Sequence, residues 1–275
     1  MLQSRKVATG AYETNVLEAG EGHPLVLIHG GGAGADAAGN WTKIAPRYVA
    51  AGFRVIAYDL VGFGHSAKPD PAGFSYDQTN RNLQLLALID ALELDQVSII
   101  GNSMGGATAL GLAMAQPERV AAMVLMASGG VNHDVASGLA PLMNYDFTVE
   151  GMRRIVAALT NPNFEIDESM VKYRHALSSE PSVRASYSAV MGWIKQQGGL
   201  HYDEADIARV TLPTLIVSGK NDQVIPIADS LRLMTLINNA HGYFIPNCGH
   251  WAMIEYPELF AEVTIPFLTR AARAQ

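Results

Sequence analysis

Ser103 stands in Gly101-Asn102-Ser103-Met104-Gly105, a G-x-S-x-G arrangement. A serine hydroxyl is a poor nucleophile until a neighbouring base takes its proton, so a base and an acid to orient it should lie elsewhere in the chain. In one of the chain orders such triads adopt, the acid and then the histidine follow the serine, each just beyond a strand. Asp222 follows the apolar run Thr214–Gly219, and His250 follows the run Tyr243–Pro246 within Asn247-Cys248-Gly249-His250-Trp251. Ser103, Asp222 and His250 are therefore the candidate catalytic residues, with His250 as base and Asp222 fixing its tautomer and stabilising the imidazolium. Among the other histidines, His23, His133, His175, His201 and His241 lack a strand-end context near the C-terminus, and His65 comes too early.

A second chemical signal is His29-Gly30-Gly31-Gly32, directly after a short apolar run. Such a turn can cradle a pyrophosphate or aim bare backbone amides at a reacting oxygen. Gly30-x-Gly32-x-x-Ala35 meets a relaxed dinucleotide fingerprint, and Asp59 ends the next apolar run where a ribose-binding acid would be expected. A P-loop is excluded, because no Gly-Lys-Ser/Thr follows. Three features weigh against a dinucleotide. His-Gly-Gly-Gly is the oxyanion-loop form of lipases and esterases, the serine elbow has no role in a dehydrogenase, and a second mononucleotide-binding half is missing. Asp59 then reads as a structural acid at a strand end, with a general acid/base role left open. As an oxyanion loop, the glycines would act with the Met104 amide, each donor contributing about 3 kcal/mol in the transition state.

These residues need a scaffold that presents them together. A serine on a tight strand-to-helix turn is strained, so its neighbours at ±2 must lack colliding side chains. Val97–Gly101 precedes the elbow as a buried strand, and Ser103–Ala115 follows as a helix. Further apolar runs at Leu25–His29, Arg54–Asp59 and Met123–Ala127 join Thr214–Gly219 and Tyr243–Pro246, with helical spacing between several of them, as in Asn80–Leu92. Strands alternating with helices predict a mostly parallel sheet flanked by helices. From about Gly130 to Leu200 the rhythm changes: Thr148–Leu159, Asp167–Leu177 and Pro181–Gln196 read as amphipathic helices rich in aromatic and thioether side chains. An apolar helical cap over the sheet's carboxyl edge is where a binding cavity is expected.

Composition narrows the function class. The 275 residues are 49% hydrophobic and 16% charged, enough for a large core. A net charge of −7 argues against a nucleic-acid partner. Cys248 is the one cysteine, and no His/Asp/Glu spacing gives a metal signature, so neither a disulfide, a metal site nor a cofactor is expected. The first residues lack a signal-peptide pattern, and no apolar run nears the roughly 20 residues of a membrane span. A cytoplasmic protein without a membrane partner is the expectation.

Read together, "HGGGAGADAAGN", "VGFGHSAKPD", "GNSMGGATALGLA", "GKNDQVIP" and "CGHWAMIE" resemble the meta-cleavage product hydrolases, carbon–carbon bond hydrolases of the α/β-hydrolase fold. The resemblance runs over essentially the whole chain, and "PLMNYDFTVEGMRRIVAALTN" and "MGWIKQQGGL" look like the branch acting on carbazole-, dibenzofuran- or biphenyl-derived products. It departs at Ala33, where relatives often carry proline. It implies a 2-hydroxy-6-oxo-6-arylhexa-2,4-dienoate substrate, an aromatic ring-fission product whose C5–C6 bond is hydrolysed after ketonisation of the dienol. The products would be 2-hydroxypenta-2,4-dienoate and an aromatic acid. It further implies Gly31 and Met104 amides as oxyanion donors, and Asn40, Asn102, Arg174, Trp251 and Gly32 around the dienoate end. A guanidinium suits a carboxylate there, while a solvated lid arginine is the plainer alternative for Arg174.

The expectation is thus an α/β-hydrolase fold, a mostly parallel sheet flanked by helices. Residues 1–130 and 205–275 would form the core and 131–204 a helical lid. A carboxylesterase or lactonase of the same fold is the rival reading, and the family resemblance suggests a homo-oligomer, dimeric or larger.

Overall fold

The computed structural model describes residues 2–133 and 138–273. Eight strands form one sheet: β1 (Gln3–Thr9), β2 (Tyr12–Ala19), β3 (His23–Ile28), β4 (Phe53–Tyr58), β5 (Val97–Asn102), β6 (Val120–Met126), β9 (Thr214–Gly219) and β10 (Ala240–Ile245). A short antiparallel pair, β7 (Val131–Asn132) with β8 (Leu200–His201), lies apart from it. The order across the sheet is β1-β2-β4-β3-β5-β6-β9-β10, parallel from β4 onward. β5 and β6 are buried along their whole length, as their unbroken apolar runs predict.

That order reverses direction at β3, which pairs with β4 on one side and β5 on the other. Ligands of open α/β sheets bind beyond the carboxyl ends of the strands at such a switch point. Ile28 pairs with Gly101, so the glycine loop leaving β3 and the serine turn leaving β5 emerge side by side. The serine, the acid and the histidine all follow the carboxyl ends of parallel strands, β5, β9 and β10.

Helices cover the sheet: α1 (Ala37–Trp41), α2 (Ala45–Ala50), α3 (Gln78–Ala91) and α4 (Met104–Ala115) come before β6. Between β7 and β8 run α5 (Ala140–Met143), α6 (Val149–Leu159), α7 (Glu168–Ser179) and α8 (Pro181–Gln197). Then follow α9 (Glu204–Ile207), α10 (Ile227–Leu236), α11 (Ala252–Glu255) and α12 (Pro257–Arg273). In the insertion, Thr148 caps α6 by accepting from Gly151 N–H, Asp167 caps α7, and α8 opens on Pro181 and stops at left-handed Gly198, φ 75°. Met152, Ile155, Val156 and Leu159 turn the apolar stripe of α6 inward. Residues 134–137 of the expected 131–204 segment lie outside the described residues.

Two departures from the sequence expectation concern edges. The hairpin β1–β2 is an antiparallel edge whose first strand shows only Val7 and Thr9 to the core, so "QSRKVAT" carries almost no apolar signal. β10 begins at Ala240 rather than Tyr243, because its exposed His241 and Gly242 mask an edge strand.

Candidate active site

Ser103 caps α4 with φ 56° and ψ −117°, a backbone state costly for any residue with a side chain. The strain is held in place on both sides. Ser103 N–H donates to Met126 O at 3.0 Å, and Ser103 O accepts from the N–H groups of Gly106, Ala107 and Gly129. A Cβ at Gly101 would lie 2.4 Å from Gly105 O, and one at Gly105 would lie 2.5 Å from Ile28 O and 2.6 Å from His29 O. The first turn of α4 thus rests on the end of β3 backbone to backbone. The requirement for small residues at ±2 is literal here.

The same contact explains the glycine triplet. A Cβ at Gly30 would sit 3.2 Å from Ser103 Cβ, at Gly31 3.0 Å from Met104 Sδ, and at Gly32 3.2 Å from Arg174 Nη2. Each glycine faces a different residue of the candidate site. Met104 is the first residue of α4, where helical N–H groups lack intrahelical partners and the dipole favours negative charge.

His250 Nδ1 donates to Asp222 Oδ2 at 2.8 Å, with the two side chains 2% and 0% exposed. Asp222 Oδ1 accepts from Val224 N–H at 2.8 Å and Ile225 N–H at 3.0 Å, which leaves the carboxylate no freedom to turn away. With Nδ1 donating, Nε2 is the nitrogen free to take a proton. His250 and Ser103 line one small cavity, together with Gly30, Gly31, Gly32, Asn40, Asn102, Arg174 and Trp251. Leu142 of α5 and Leu159 of α6 close it from the insertion. Of the ten residues proposed from sequence as catalytic, oxyanion or substrate-binding groups, Asp222 and Met104 do not line the cavity; Asp222 stands behind His250, and the Met104 side chain packs on Gly31.

Arg174, on α7, is 2% exposed, so it is not a solvated surface arginine. Its guanidinium lies 4.7 Å over the Trp251 ring, and Nη2 donates to Ala33 O at 3.0 Å. Burial lowers its pKa to about 10, with Asp36 opposing, so it stays cationic at neutral pH. Nε of Arg174 and Oδ1 of both Asn40 and Asn102 are buried without a hydrogen-bond partner among the described residues, three of seven such atoms and all in this cavity. Unpaired buried polar groups each cost about 1–3 kcal/mol, so their gathering in one cavity marks a polar ligand's seat.

Sequence reasoning missed what anchors the loop. His29 is fully buried; its Nδ1–H donates to Gly30 O at 2.8 Å and its Nε2 accepts from Leu60 N–H at 3.0 Å. That pair of bonds fixes the neutral tautomer, and burial holds the pKa below the usual histidine value. Asp59 accepts from Ala37 N–H, His65 N–H and Asn15 Nδ2, so both oxygens are engaged and it works as a structural acid. A ribose-binding acid is thereby removed from the dinucleotide reading. From the insertion, Tyr173 OH donates to Asp36 Oδ2 at 2.5 Å, the residue that caps α1. These partners are distant in sequence, and no local motif announces them. Among the described residues, no group of three His, Cys, Asp or Glu could hold a metal ion, and no helix is long and apolar enough to cross a membrane.

A family profile described as the alpha/beta hydrolase fold matches residues 23–257. The chain is 49% identical over 269 residues to the 2-hydroxy-6-oxo-6-(2'-aminophenyl)hexa-2,4-dienoic acid hydrolase of Metapseudomonas resinovorans, covering 98% of this chain and 91% of that one. A crystal structure of a serine hydrolase involved in carbazole degradation superposes with a TM-score of 0.89 at 46% identity, covering 98% and 99% of the two chains. A meta-cleavage product hydrolase from Pseudomonas fluorescens IP01 superposes with a TM-score of 0.92 at 32% identity, covering 97% and 98%.

Proposed function

The chain belongs to the α/β-hydrolase fold family and, within it, to the meta-cleavage product hydrolases, and from that premise we propose how its site works. It hydrolyses the C5–C6 bond of 2-hydroxy-6-oxo-6-arylhexa-2,4-dienoates, giving 2-hydroxypenta-2,4-dienoate and an aromatic carboxylic acid. Arg174 binds the dienoate carboxylate or its 2-oxygen, and Asn40, Asn102, Gly32 and Trp251 complete that end of the cavity. The observation that carries the reading is the buried, incompletely paired Arg174 held over Trp251 in the same cavity as Ser103 and His250. A simple esterase has no use for a buried cation there.

Breaking a carbon–carbon bond needs a leaving group that can hold a carbanion's electron pair. Ketonisation of the dienol first moves a proton onto the diene, so that C5 leaves conjugated with a carbonyl, and no cofactor is called for. At C6, His250 Nε2 accepts the proton from the attacking oxygen, whether Ser103 Oγ or a water beside it. The imidazolium, stabilised by Asp222, then returns a proton to the departing fragment; where Ser103 Oγ is the attacking oxygen, a water activated by His250 then hydrolyses the acyl-serine and releases the aromatic acid. The C6 oxygen collects negative charge and accepts from the Gly31 and Met104 N–H groups. Residues 131–204 act as the lid; Leu142 and Leu159 exclude water that would otherwise intercept the dienolate.

The work is assigned to the cytoplasm, in keeping with a chain of one buried cysteine, and to a homo-oligomer, which family resemblance alone supports and sedimentation tests. Yellow ring-fission dienoates differing at C6 test the reaction directly through loss of their visible absorbance. Aryl dienoates are expected to bleach rapidly. Rapid cleavage of simple aryl esters with no bleaching of any dienoate would return the enzyme to the carboxylesterases. Ser103→Ala is expected to bind and ketonise the dienoate without cleaving it.

A further inference from the structure

The base His250 sits on a short loop, and one partly buried carboxylate ties that loop to the insertion. Glu255, the last residue of α11, accepts from Gly249 N–H at Oε1 and from Asn161 N–H at Oε2, both at 2.9 Å. Gly249 immediately precedes the base. Asn161 lies two residues past Leu159, whose carbonyl accepts from His250 N–H at 3.1 Å. A Cβ at Gly249 would stand 2.6 Å from the carbonyl carbon of Thr160 and 2.7 Å from Asn161 N, so the two backbones touch. The loop of the base and the chain leaving α6 are one packed unit, and Glu255 is the side chain that bonds both halves of it.

We propose that Glu255 is a positioning residue for His250: by bridging Gly249 and Asn161 it sets the imidazole against Leu159 and the reaction cavity. The proposal rests on the reading that His250 is the catalytic base. Its physical logic is geometric. The side chain joins amides 88 residues apart in sequence, 161 and 249, which no local turn could hold together. Without the bridge, Gly249 keeps its contact with Thr160 but loses the acceptor that holds the Cys248–Gly249 peptide plane, one Cα before the Gly249–His250 peptide whose N–H donates to Leu159 O. A displacement of about 1 Å in a catalytic group costs on the order of 100-fold in rate.

Glu255→Gln keeps the shape but can accept from only one of the two amides, and it points an NH2 at the other. In the full-length enzyme it is expected to lower kcat by about tenfold or more, with KM nearly unchanged and a thermal midpoint lower by only a few degrees, so that the protein stays folded at the assay temperature. Asn161→Pro deletes one donor and puts its ring Cδ where the N–H stood, so Oε2 must move aside while Oε1 can stay on Gly249; Thr160, at φ −122° and ψ 163°, already has the extended backbone that a following proline favours. It should lower kcat in the same way. A further readout is the downfield proton resonance of the His250 Nδ1–H···Asp222 bond, expected to shift or broaden in both variants. Unchanged kcat per folded enzyme in Glu255→Gln, or lost kcat with an unmoved resonance, would overturn the proposal. Each variant is also assayed on an aryl ester, which needs the same base. Wild-type enzyme that cleaves the ester but bleaches no dienoate would sink the substrate reading, while the variant-to-wild-type ratio on the ester still decides the role of Glu255.

Discussion

Gly219 lies against Gly249 so closely that a Cβ on the first would stand 2.1 Å from the carbonyl oxygen of the second. Gly219 ends β9, three residues before Asp222, and Gly249 precedes His250. The contact brings the acid loop and the base loop within hydrogen-bonding reach, and Asn221 N–H adds a bond to Cys248 O at 2.9 Å. Gly219→Ala forces backbone away from backbone, so it is expected to cost about 1–3 kcal/mol of stability, as overpacking does elsewhere. Because the shift must fall on the two loops, kcat should drop at least about tenfold in the protein that still folds. Thermal melts and steady-state kinetics check the two parts; an unchanged kcat would mean that the loops move without disturbing the triad.

Asp222 is held by two backbone N–H groups on one oxygen and by His250 on the other. Asp222→Asn can keep the packing but presents a neutral amide to the imidazole, which loses both its fixed tautomer and its counter-charge. By analogy with other serine triads, kcat should fall by about 10⁴ with KM little affected. A comparable rise in KM instead would show that the loop carrying Asp222 had collapsed into the substrate's space.

Ser103, Asp222 and His250 could be singled out because each sits in a local pattern, small residues at ±2 of a strained serine or a polar turn after a buried strand, and the structure places Ser103 and His250 on one cavity with Asp222 bonded behind. The strands that carry them were legible for a related reason, since β5, β6 and β9 are buried on both faces and read as continuous apolar runs. The residues that hold the site together left no such trace. His29 meets Leu60, Asp36 meets Tyr173, and Glu255 meets Asn161, pairs separated by 31, 137 and 94 residues. Arg174 shows the same limit. Its role could be suggested by resemblance, but its burial over Trp251 depends on how α7 packs on the glycine loop, where a Cβ at Gly34 would lie 2.0 Å from Arg174 O.

If Arg174 receives the dienoate carboxylate, Arg174→Ala should raise KM for dienoates by roughly 10- to 100-fold, the weight of a charge-assisted hydrogen bond of about 1.5–3 kcal/mol. KM for an uncharged aryl ester should barely change. Arg174→Lys should recover only part of the loss, because an ammonium cannot stack on Trp251 and bind an anion bidentately at once. Equal KM changes on charged and uncharged substrates would mean that the side chain supports the cavity wall rather than the carboxylate.

His29 gives the fold a pH dependence of calculable sign. Its Nε2 accepts from Leu60 N–H, so the folded protein holds the neutral ring, and burial lowers the pKa from the ordinary 6.5 despite the opposing charge of Asp59. As pH falls below 6.5, the unfolded chain takes up a proton that the folded one refuses. The unfolded state then binds more protons, so the stability due to His29 is full above that pH and is lost as pH falls toward the folded pKa. His29→Gln should be less stable than wild type near neutrality, since it frees the glycine loop from Leu60. The gap should shrink as pH is lowered, because only the wild type carries the penalty for protonation. Urea titrations of both proteins at about pH 7.5 and about pH 5.5 measure it. A gap that stays constant between the two would mean that the ring is protonated as easily inside the fold as outside it, and that the Leu60 bond does not hold the neutral tautomer.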